Sequence, residues 1–474
     1  NMAGGLLELV ARGVQDIYLI GDPQITFFKV VYKRHTNFSI ESIRAVFDGN
    51  ADFGQKITAK LPRNGDLMHR MVLEVDLPAI SRSGSLAPNV SYVNSAGHAL
   101  IDYIELRIGG NLIDKHYGEW LEIWNQLTRP EEHVFAYQDM LSKYSSFTSV
   151  RSATTVYIPL QFWFCRNIGL ALPLIALQYH EVELSVKIHP LSRVHTFGPF
   201  NYYTASQTGT TITKTSGQSF TDHATDANAN RRAYWADGTV TDLGGGTVTS
   251  TEITGVESQT VSSQEMYIGT VNTVSGTPQI SDMRLYVDYI FLDTYERKKF
   301  AQMKHKYLIE QLQYNGEVGY GASASDKKFD IDFNLPVKSI YWVSQLDRFN
   351  RDNDVFNFSD TFDSNTTKTD PVSKAVLYIN GTERFEERNG KVFRIVNPLH
   401  AHTNVPNDFI YMYSFALKPE SHQPTGSMNF SKIDNANLKI TFKSTIPAGK
   451  IRIYGLSYNI LRIESGMGGL AFAN

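Results

Sequence analysis

From Tyr179 to Ile188 the chain alternates strictly between polar and apolar positions. His180, Val182, Leu184, Val186 and Ile188 share one parity, and Tyr179, Glu181, Glu183, Ser185 and Lys187 share the other. A period of two with one apolar face predicts a half-buried antiparallel strand. The same alternation places Met71, Leu73, Val75 and Leu77 on one face of DLMHRMVLEVDLP. It does the same for Leu100, Ile104, Leu106 and Ile108 in ALIDYIELRIGG. ITFFKVVYKRHTNF, ESIRAVF, QKITAKL, TTVYIPLQFWF and DMRLYVDYIFLD read as further strands, about eight by residue 293. Asn64-Gly65 and Gly109-Gly110-Asn111 between them tolerate the positive φ of tight turns. The apolar run before Tyr179 is broken by Gly169 and Pro173 and is too short to cross a bilayer, so it is expected as an interior corner. Eight antiparallel strands with long cross-connections are the count for a jelly roll.

Helical spacing is sparse. Leu6, Leu9, Val10, Gly13, Val14 and Ile17 repeat at helical intervals up to Gly21-Asp22-Pro23, which predicts an N-terminal arm over residues 1–22. HYGEWLEIWNQLT at 116–128 predicts a helix, and TYERKKFAQMKHKYL at 294–308 a second one, whose 294–302 part bridges two domains. Beyond it the strand pattern resumes, with Phe329, Ile331, Phe333 and Leu335 inward. SKAVLYINGTERF, FIYMYSFAL, ANLKITFKS and KIRIYGLSYNILRI follow, with turns at Asn315-Gly316, Asn380-Gly381 and Asn389-Gly390. The expected fold class is all-β: two tandem eight-stranded antiparallel jelly rolls, at 23–293 and 303–464, with few short helices and a tail at 465–474. Residues 190–281 are rich in Thr, Ser, Gly, Asn and Asp and read as a long β-rich surface insertion between the last two strands of the first roll. Tyr202, Tyr203, Tyr234, Trp235 and Tyr267 favour a folded insertion over a disordered linker.

Composition narrows the function. A chain of 474 residues exceeds one ordinary core, which agrees with two domains. The net charge of -3 argues against a protein that coats nucleic acid, and no sequence-specific nucleic-acid binding is expected. Cys165 is the lone cysteine, which excludes an internal disulfide and a multi-cysteine metal site. The first twenty residues lack the sustained apolar core of a secretory signal, and Ala3 after Met2 breaks the myristoylation pattern. A soluble chain, made in the cytosol and without its own transmembrane anchor, is the expectation.

The candidate chemistry is thin. Asn37, Asn89, Asn357, Asn365, Asn380 and Asn429 match the N-glycosylation pattern; Asn89 and Asn365, in polar loops, are the candidate glycosylation sites. His400 and His402 share one side of an extended segment but lack a third ligand, so no metal residues are assigned. Asp330 and Asp332 read as the solvated face of a strand, and Cys165, among aromatics, as a buried filler. Gly319-Tyr320-Gly321 lacks the strand-to-helix setting of a phosphate loop. Lys29, Lys33, Arg34 and His35 form a basic run with a solvated edge as its default. No constellation of nucleophile, base and carboxylate emerges. The chain is therefore read as a non-enzyme, with no catalytic or cofactor-binding residues and no cofactor.

Five long stretches carry a family resemblance: LVARGVQDIYLIGDPQITFFKVVYKRHTNFSIESI, RNGDLMHRMVLEVDLP, FWFCRNIGLALPLIALQYHEVEL, LYVDYIFLDTYERKKFAQ and GSMNFSKIDNANLKI. In these the chain resembles the double jelly-roll major capsid proteins of nucleocytoplasmic large DNA viruses, the group of iridoviruses, chloroviruses, marseilleviruses and mimivirus relatives. The resemblance implies a structural subunit that self-assembles as homotrimers. Six upright rolls per trimer would form a pseudo-hexagonal capsomer of an icosahedral shell. It further implies neighbouring trimers, minor capsid or cement proteins and penton proteins as partners, an internal membrane beneath the shell, and glycans on the outer surface. The loops after the first, third, fifth and seventh strands of a roll lie at one end. That end is expected to face outward, carrying the insertion as a tower. Expected contacts between subunits are the N-terminal arm, the helix with Trp120 and Trp124, and the tail with Leu470 and Phe472. The implied location is the virion, after synthesis in the host cytoplasm. Two other readings are a β-sandwich carbohydrate-binding protein and a minor capsid or scaffold protein of the same fold. A glycosidase would need two carboxylates across a cleft.

Overall fold

A computed structural model describes the chain apart from residues 1–3, 82–88, 144–149, 199–201, 218–219, 221–230, 236–238, 245, 271–273, 323, 348, 350–352, 361–368, 445 and 473–474. The described residues fall into two compact units, Asn1–Phe38 and Ser39–Asn474.

The smaller unit holds helix α1 (Gly4–Val10), a 3-10 turn at Val14–Asp16 and one helical turn at Ile17–Ile20. Gly13 breaks the predicted continuous helix: its backbone is extended, and its N–H donates to the Asp16 carboxylate at 2.7 Å. The strand predicted from Ile25 does not form, and the first strand begins at Phe38. A strand needs a partner for its backbone groups, and among the described residues no strand pairs with this segment; Phe27 is 87% and Phe28 97% exposed.

In the larger unit the strands β1 (Phe38–Ala45), β2 (Lys56–Leu61), β3 (Leu67–Leu77), β4 (Ile101–Ile108), β5 (Asn111–Tyr117), β6 (Thr154–Pro159), β7 (Val182–Ile188) and β8 (Asp282–Leu292) make the first roll. One sheet runs β1-β8-β3-β6, and the facing sheet runs β2-β7-β4-β5. The second roll comprises β9 (His305–Tyr320), β10 (Asp326–Asp330), β11 (Pro336–Leu346), β12 (Val372–Ile379), β13 (Thr382–Glu383), β14 (Ile410–Ser414), β15 (Ala436–Phe442) and β16 (Gly449–Glu464). Its sheets run β9-β16-β11-β14 and β10-β15-β12-β13. The strand order of one roll is the strand order of the other, shifted by eight.

Each roll closes around residues that the alternation points inward. Leu73, Val75, Leu106, Val186 and Leu285 lie in the first core; Trp342, Leu438, Ile440 and Ile453 lie in the second. Burying a side chain of this size contributes roughly 1.5–3 kcal/mol. The turn between β4 and β5 places Gly109 and Gly110 at φ 58° and 81°, and Asn380 and Gly381 take φ 48° and 80° between β12 and β13. The two hairpins occupy the same position in each roll. Asn315-Gly316 makes no hairpin: it is a bulge within β9, where the register to β16 shifts between Tyr314 and Glu317.

The rolls stand side by side with like ends together. Asn353, in the β11–β12 connection, donates to the carbonyl of His195 in the β7–β8 connection at 2.9 Å. At the opposite end the Tyr179 N–H, before β7, donates to the Gly466 carbonyl after β16 at 2.9 Å. Helix α2 (Gly118–Thr128) follows β5, and helix α3 (Thr294–Gln302), capped by the Asp293 carboxylate on the Glu296 N–H at 2.8 Å, joins the rolls.

The β7–β8 connection holds a sheet of its own. Strands Tyr202–Gly217 and Glu252–Thr270 form its antiparallel spine, with Arg231–Trp235, Val240–Asp242 and Thr247–Val248 alongside. Tyr203, Phe220, Trp235, Leu243, Ile253 and Met266 enclose a separate core.

Candidate assembly surfaces

The chain's polar chemistry gathers at the seam between the rolls. Its organiser is α2, whose Gly118 sits where a side chain would strike the carbonyl oxygens of His98 and Ile101, so only glycine lets the helix start there. From that start α2 crosses onto the outer face of the second roll. The Trp120 ring lies 5.2 Å from that of Tyr341 on β11 and 5.7 Å from that of Tyr454 on β16. Glu119 accepts from Arg452 at 2.7 Å and from the Tyr454 hydroxyl at 2.8 Å. Burial works against the Arg452 charge, but Glu119, Tyr454 and Glu317 outweigh it and hold its pKa above the ordinary value.

Two more buried clusters tie the rolls together. Glu310 of β9 takes an ion pair from Lys338 of β11 and another, at 2.8 Å, from Arg166 of the first roll. Burial pushes the Lys338 amine down to about 8 against the pull of Glu310. His98 bonds Glu122 at 2.7 Å, and Gln126 donates to both Glu122 (2.9 Å) and Asp408 of the second roll (2.8 Å). Burial alone would raise the Glu122 carboxyl, but the His98 bond and charge and the Gln126 bond bring it down to about 2. Directly at the strand edge, Gln311 donates to the Ile113 carbonyl, and the Leu312 N–H donates to Asp114 at 3.1 Å.

Trp120 and Trp124, expected at contacts between subunits, are instead 2% and 4% exposed within the chain. The reason is the crossing of α2: its aromatic face is used up by the second roll. The tail also packs within the chain. Met467–Leu470 folds back as a strand on β16 through a turn at Ser465 and Gly466 (φ 54° and 80°), with Leu470 opposite Leu461. A Cβ at Gly468 would lie 2.7 Å from Leu177 of the first roll, so the glycine allows this close approach. Phe472 remains 53% exposed.

The remaining candidates separate. The Asn89 side chain and Asn365 lie outside the described residues. Asn357 is buried, Asn380 accepts from the backbone of Asp434 and Asn435 at 3.1 Å, and Asn429 caps Ser431 at 3.0 Å. His402 bonds Glu420 at 2.7 Å and Tyr341 at 3.1 Å, whereas His400 is exposed on a neighbouring helix. Among the described residues no group of three or more His, Cys, Asp or Glu side chains could hold a metal. Burial pushes the Cys165 thiol up to about 12, which leaves it unreactive near neutral pH. Tyr320 of Gly319-Tyr320-Gly321 is buried, its hydroxyl 2.8 Å from Ser344, while Asp330 and Asp332 are exposed. Lys29, Lys33, Arg34 and His35 are exposed in the smaller unit. No described helix is long and apolar enough to cross a membrane. Sequence reasoning missed the buried seam of Lys338, Glu310, His98 and Glu122; only the polar residues inside apolar strands and helices hinted at it.

Comparison with known proteins agrees with this architecture. Residues 26–227 match the family of the major capsid protein N-terminus, and 296–469 match that of the large eukaryotic DNA virus major capsid protein. The chain is 38% identical to the major capsid protein of Pyramimonas orientalis virus and 35% identical to that of Phaeocystis pouchetii virus, each over 100% of both chains. It superposes on the PBCV-1 virus capsid with a TM-score of 0.69 at 30% identity, covering 95% of this chain and 100% of that one. The Faustovirus major capsid protein, at 14% identity, shares the fold with a TM-score of 0.71 over 96% of this chain and 94% of that one. These capsid families are structural and not enzymatic. With paired rolls of one strand order and full-length likeness to viral coat proteins, the chain belongs to the major capsid protein family of large eukaryotic DNA viruses.

Proposed function

We propose that the chain is the shell subunit of a large DNA virus, self-assembling as homotrimers into pseudo-hexagonal capsomers of an icosahedral capsid. The observation that carries this is the internal repeat: two rolls of identical strand order stand in parallel, with like ends together. Three such chains present six nearly equivalent flanks, which suits hexagonal tiling of a closed surface. The end bearing the connections after β1, β3, β5 and β7 faces outward, and the insertion forms its tower. Glycans on that outer surface, Asn89 and Asn365 included, belong to the same reading. At the other end the shell meets minor capsid or cement proteins and an internal membrane, with penton proteins at the vertices. The arm suits such contacts, since Leu9, Ile17, Phe27 and Phe28 are all more than half exposed. Phe472 offers a smaller apolar contact at the tail. The subunit is made in the host cytoplasm and carried in the virion.

Light scattering on the purified full chain tests the proposal. A stable particle of three chain masses is expected. A monomer that binds sugar would favour a carbohydrate-binding sandwich and overturn the reading.

A further inference from the structure

The connection that joins the two rolls is strongly cationic. Residues 297–306, RKKFAQMKHK, hold Arg297, Lys298, Lys299, Lys304 and Lys306 and no carboxylate, in a chain whose net charge is -3. The first three lie on α3, and Lys306 lies at the start of β9. Arg297 pairs with the Asp66 carboxylate at 2.9 Å, and Lys304 pairs with Glu464. Lys298, Lys299 and Lys306 are exposed, and among the described residues no carboxylate pairs with them.

The two ion pairs locate the stretch. Asp66 closes the β2–β3 connection and Glu464 closes β16, so the cations gather at the end of the molecule where Tyr179 meets Gly466. More cations join them there. Arg462 of β16 stands directly opposite Lys306. Arg63 lies in the β2–β3 connection, 3.4 Å from the His180 carbonyl to which it donates. Glu464 is the carboxylate in their midst: the Lys304 bond and charge, then Lys306 and Arg462, hold its pKa below the ordinary value. Like charges directly opposite on neighbouring strands repel. Lys306 and Arg462 therefore face each other at a cost that an external anion would remove.

The corresponding end of the second roll is not basic. Its connections at 331–335 and 415–435 hold Asp332, Glu420 and Asp434 against Lys418 and Lys432. The cationic patch belongs to the first roll and the junction, and does not follow from the internal repeat.

Apolar side chains are interleaved with the cations. Tyr179, Tyr295, Met303 and Met467 are all more than half exposed at this end. Nucleic acid would engage the lysines through its phosphates and leave these side chains in water. The headgroup region of a bilayer takes both. Lysine meets the lipid phosphates, while tyrosine and methionine sink toward the upper acyl carbons.

We propose that the patch formed by α3, the start of β9 and Arg462 binds the surface of a bilayer that contains anionic phospholipid. The proposal rests on the shell reading, in which this end faces inward, and deepens it with a direct lipid contact made by the subunit itself. Because the chain as a whole is slightly acidic, cations concentrated at one end also orient it end-on to such a surface.

Flotation of the purified full chain with vesicles tests the proposal, on samples whose oligomeric state has been measured by light scattering. Vesicles of phosphatidylcholine mixed with phosphatidylserine are expected to carry the chain upward, and vesicles of phosphatidylcholine alone are not. Binding should fall as salt screens the charges. Two double reversals, K298E with K299E and K306E with R462E, are each expected to weaken the partition more than about tenfold, with the thermal midpoint retained. The same change of charge on the insertion, K214E with R232E, should leave it unaltered. Should a reversal unfold the chain, K298Q with K299Q replaces it, and a loss of severalfold is expected. Trimers that do not float with the anionic vesicles, that float equally with the neutral ones, or that keep full binding in both reversals overturn the proposal and leave the trimer reading standing. Retention on duplex DNA without flotation would assign the patch to nucleic acid and overturn it as well. A monomeric chain instead overturns the trimer reading.

Discussion

The two rolls share their strand order and differ in what covers them. In the first, the β7–β8 connection spans residues 189–281 and contains a sheet with its own core; in the second, the β15–β16 connection is residues 443–448. The outer face of β9-β16-β11-β14 is sealed by α2, with Tyr341 and Tyr454 at 0% and 1% exposure, whereas the outer face of β1-β8-β3-β6 is open around Tyr157 and Tyr286. In both rolls, which side chains face the core follows from the alternation along the strands. The connections carry the differences, and with them the roles: one roll supplies the sealing helix, the other receives it.

The largest expected effect comes from unsealing the second roll. Trp120→Ala should destabilise the chain by roughly 3–5 kcal/mol, the cost of a large aromatic removed from a packed core, measured by urea unfolding. A loss below about 1 kcal/mol would mean that α2 is not what holds the two rolls together. Removing its anchor, by Glu119→Ala, should cost about 3 kcal/mol, because it leaves Arg452 in a buried setting with Glu317 and Gln345 as its remaining described partners.

Acid should open the same seam. The Glu122 carboxyl is held at about 2, below its ordinary 4.5, so its contribution to stability is complete above about pH 4.5 and is lost as pH falls toward 2. Roughly 3 kcal/mol is at stake by linkage. The pH dependence of the urea midpoint should flatten across that window in Glu122→Gln; an unchanged acid slope would place the proton uptake elsewhere.

The smallest effect sharpens the contrast between the connections. Tyr202 pairs with Tyr267, so the two ends of the insertion leave the roll close together. Replacing residues 203–266 by a short glycine-rich turn should change the stability of the rolls by less than about 1 kcal/mol, since it removes a separate core and shortens a loop. A loss of several kcal/mol would show that the insertion braces the first roll.

Much of this was legible in the sequence, and the failures have physical causes. Alternation at Met71–Leu77 and Val182–Ile188 revealed the strands because half-buried sheets impose a period of two. The same pattern at 25–37 misled, since a strand also requires a neighbouring edge and no described strand offers these residues one. Trp120 and Trp124 were recognised as contact residues, but an apolar helix face does not say which surface it meets. Lys338 and Glu122 were invisible as seam residues, because a charged side chain is by default expected in water. In the tail, Leu470 and Phe472 stood out as apolar contact residues, but nothing in the sequence announced that Gly468 permits a close approach to Leu177.

A cryo-electron reconstruction of the assembled shell tests the central claim most directly. The account predicts capsomers of three chains, each with six upright rolls in a ring, first and second rolls alternating, and residues 202–270 at the outermost radius. A capsomer with another number of rolls, or with that insertion facing the interior, would contradict it.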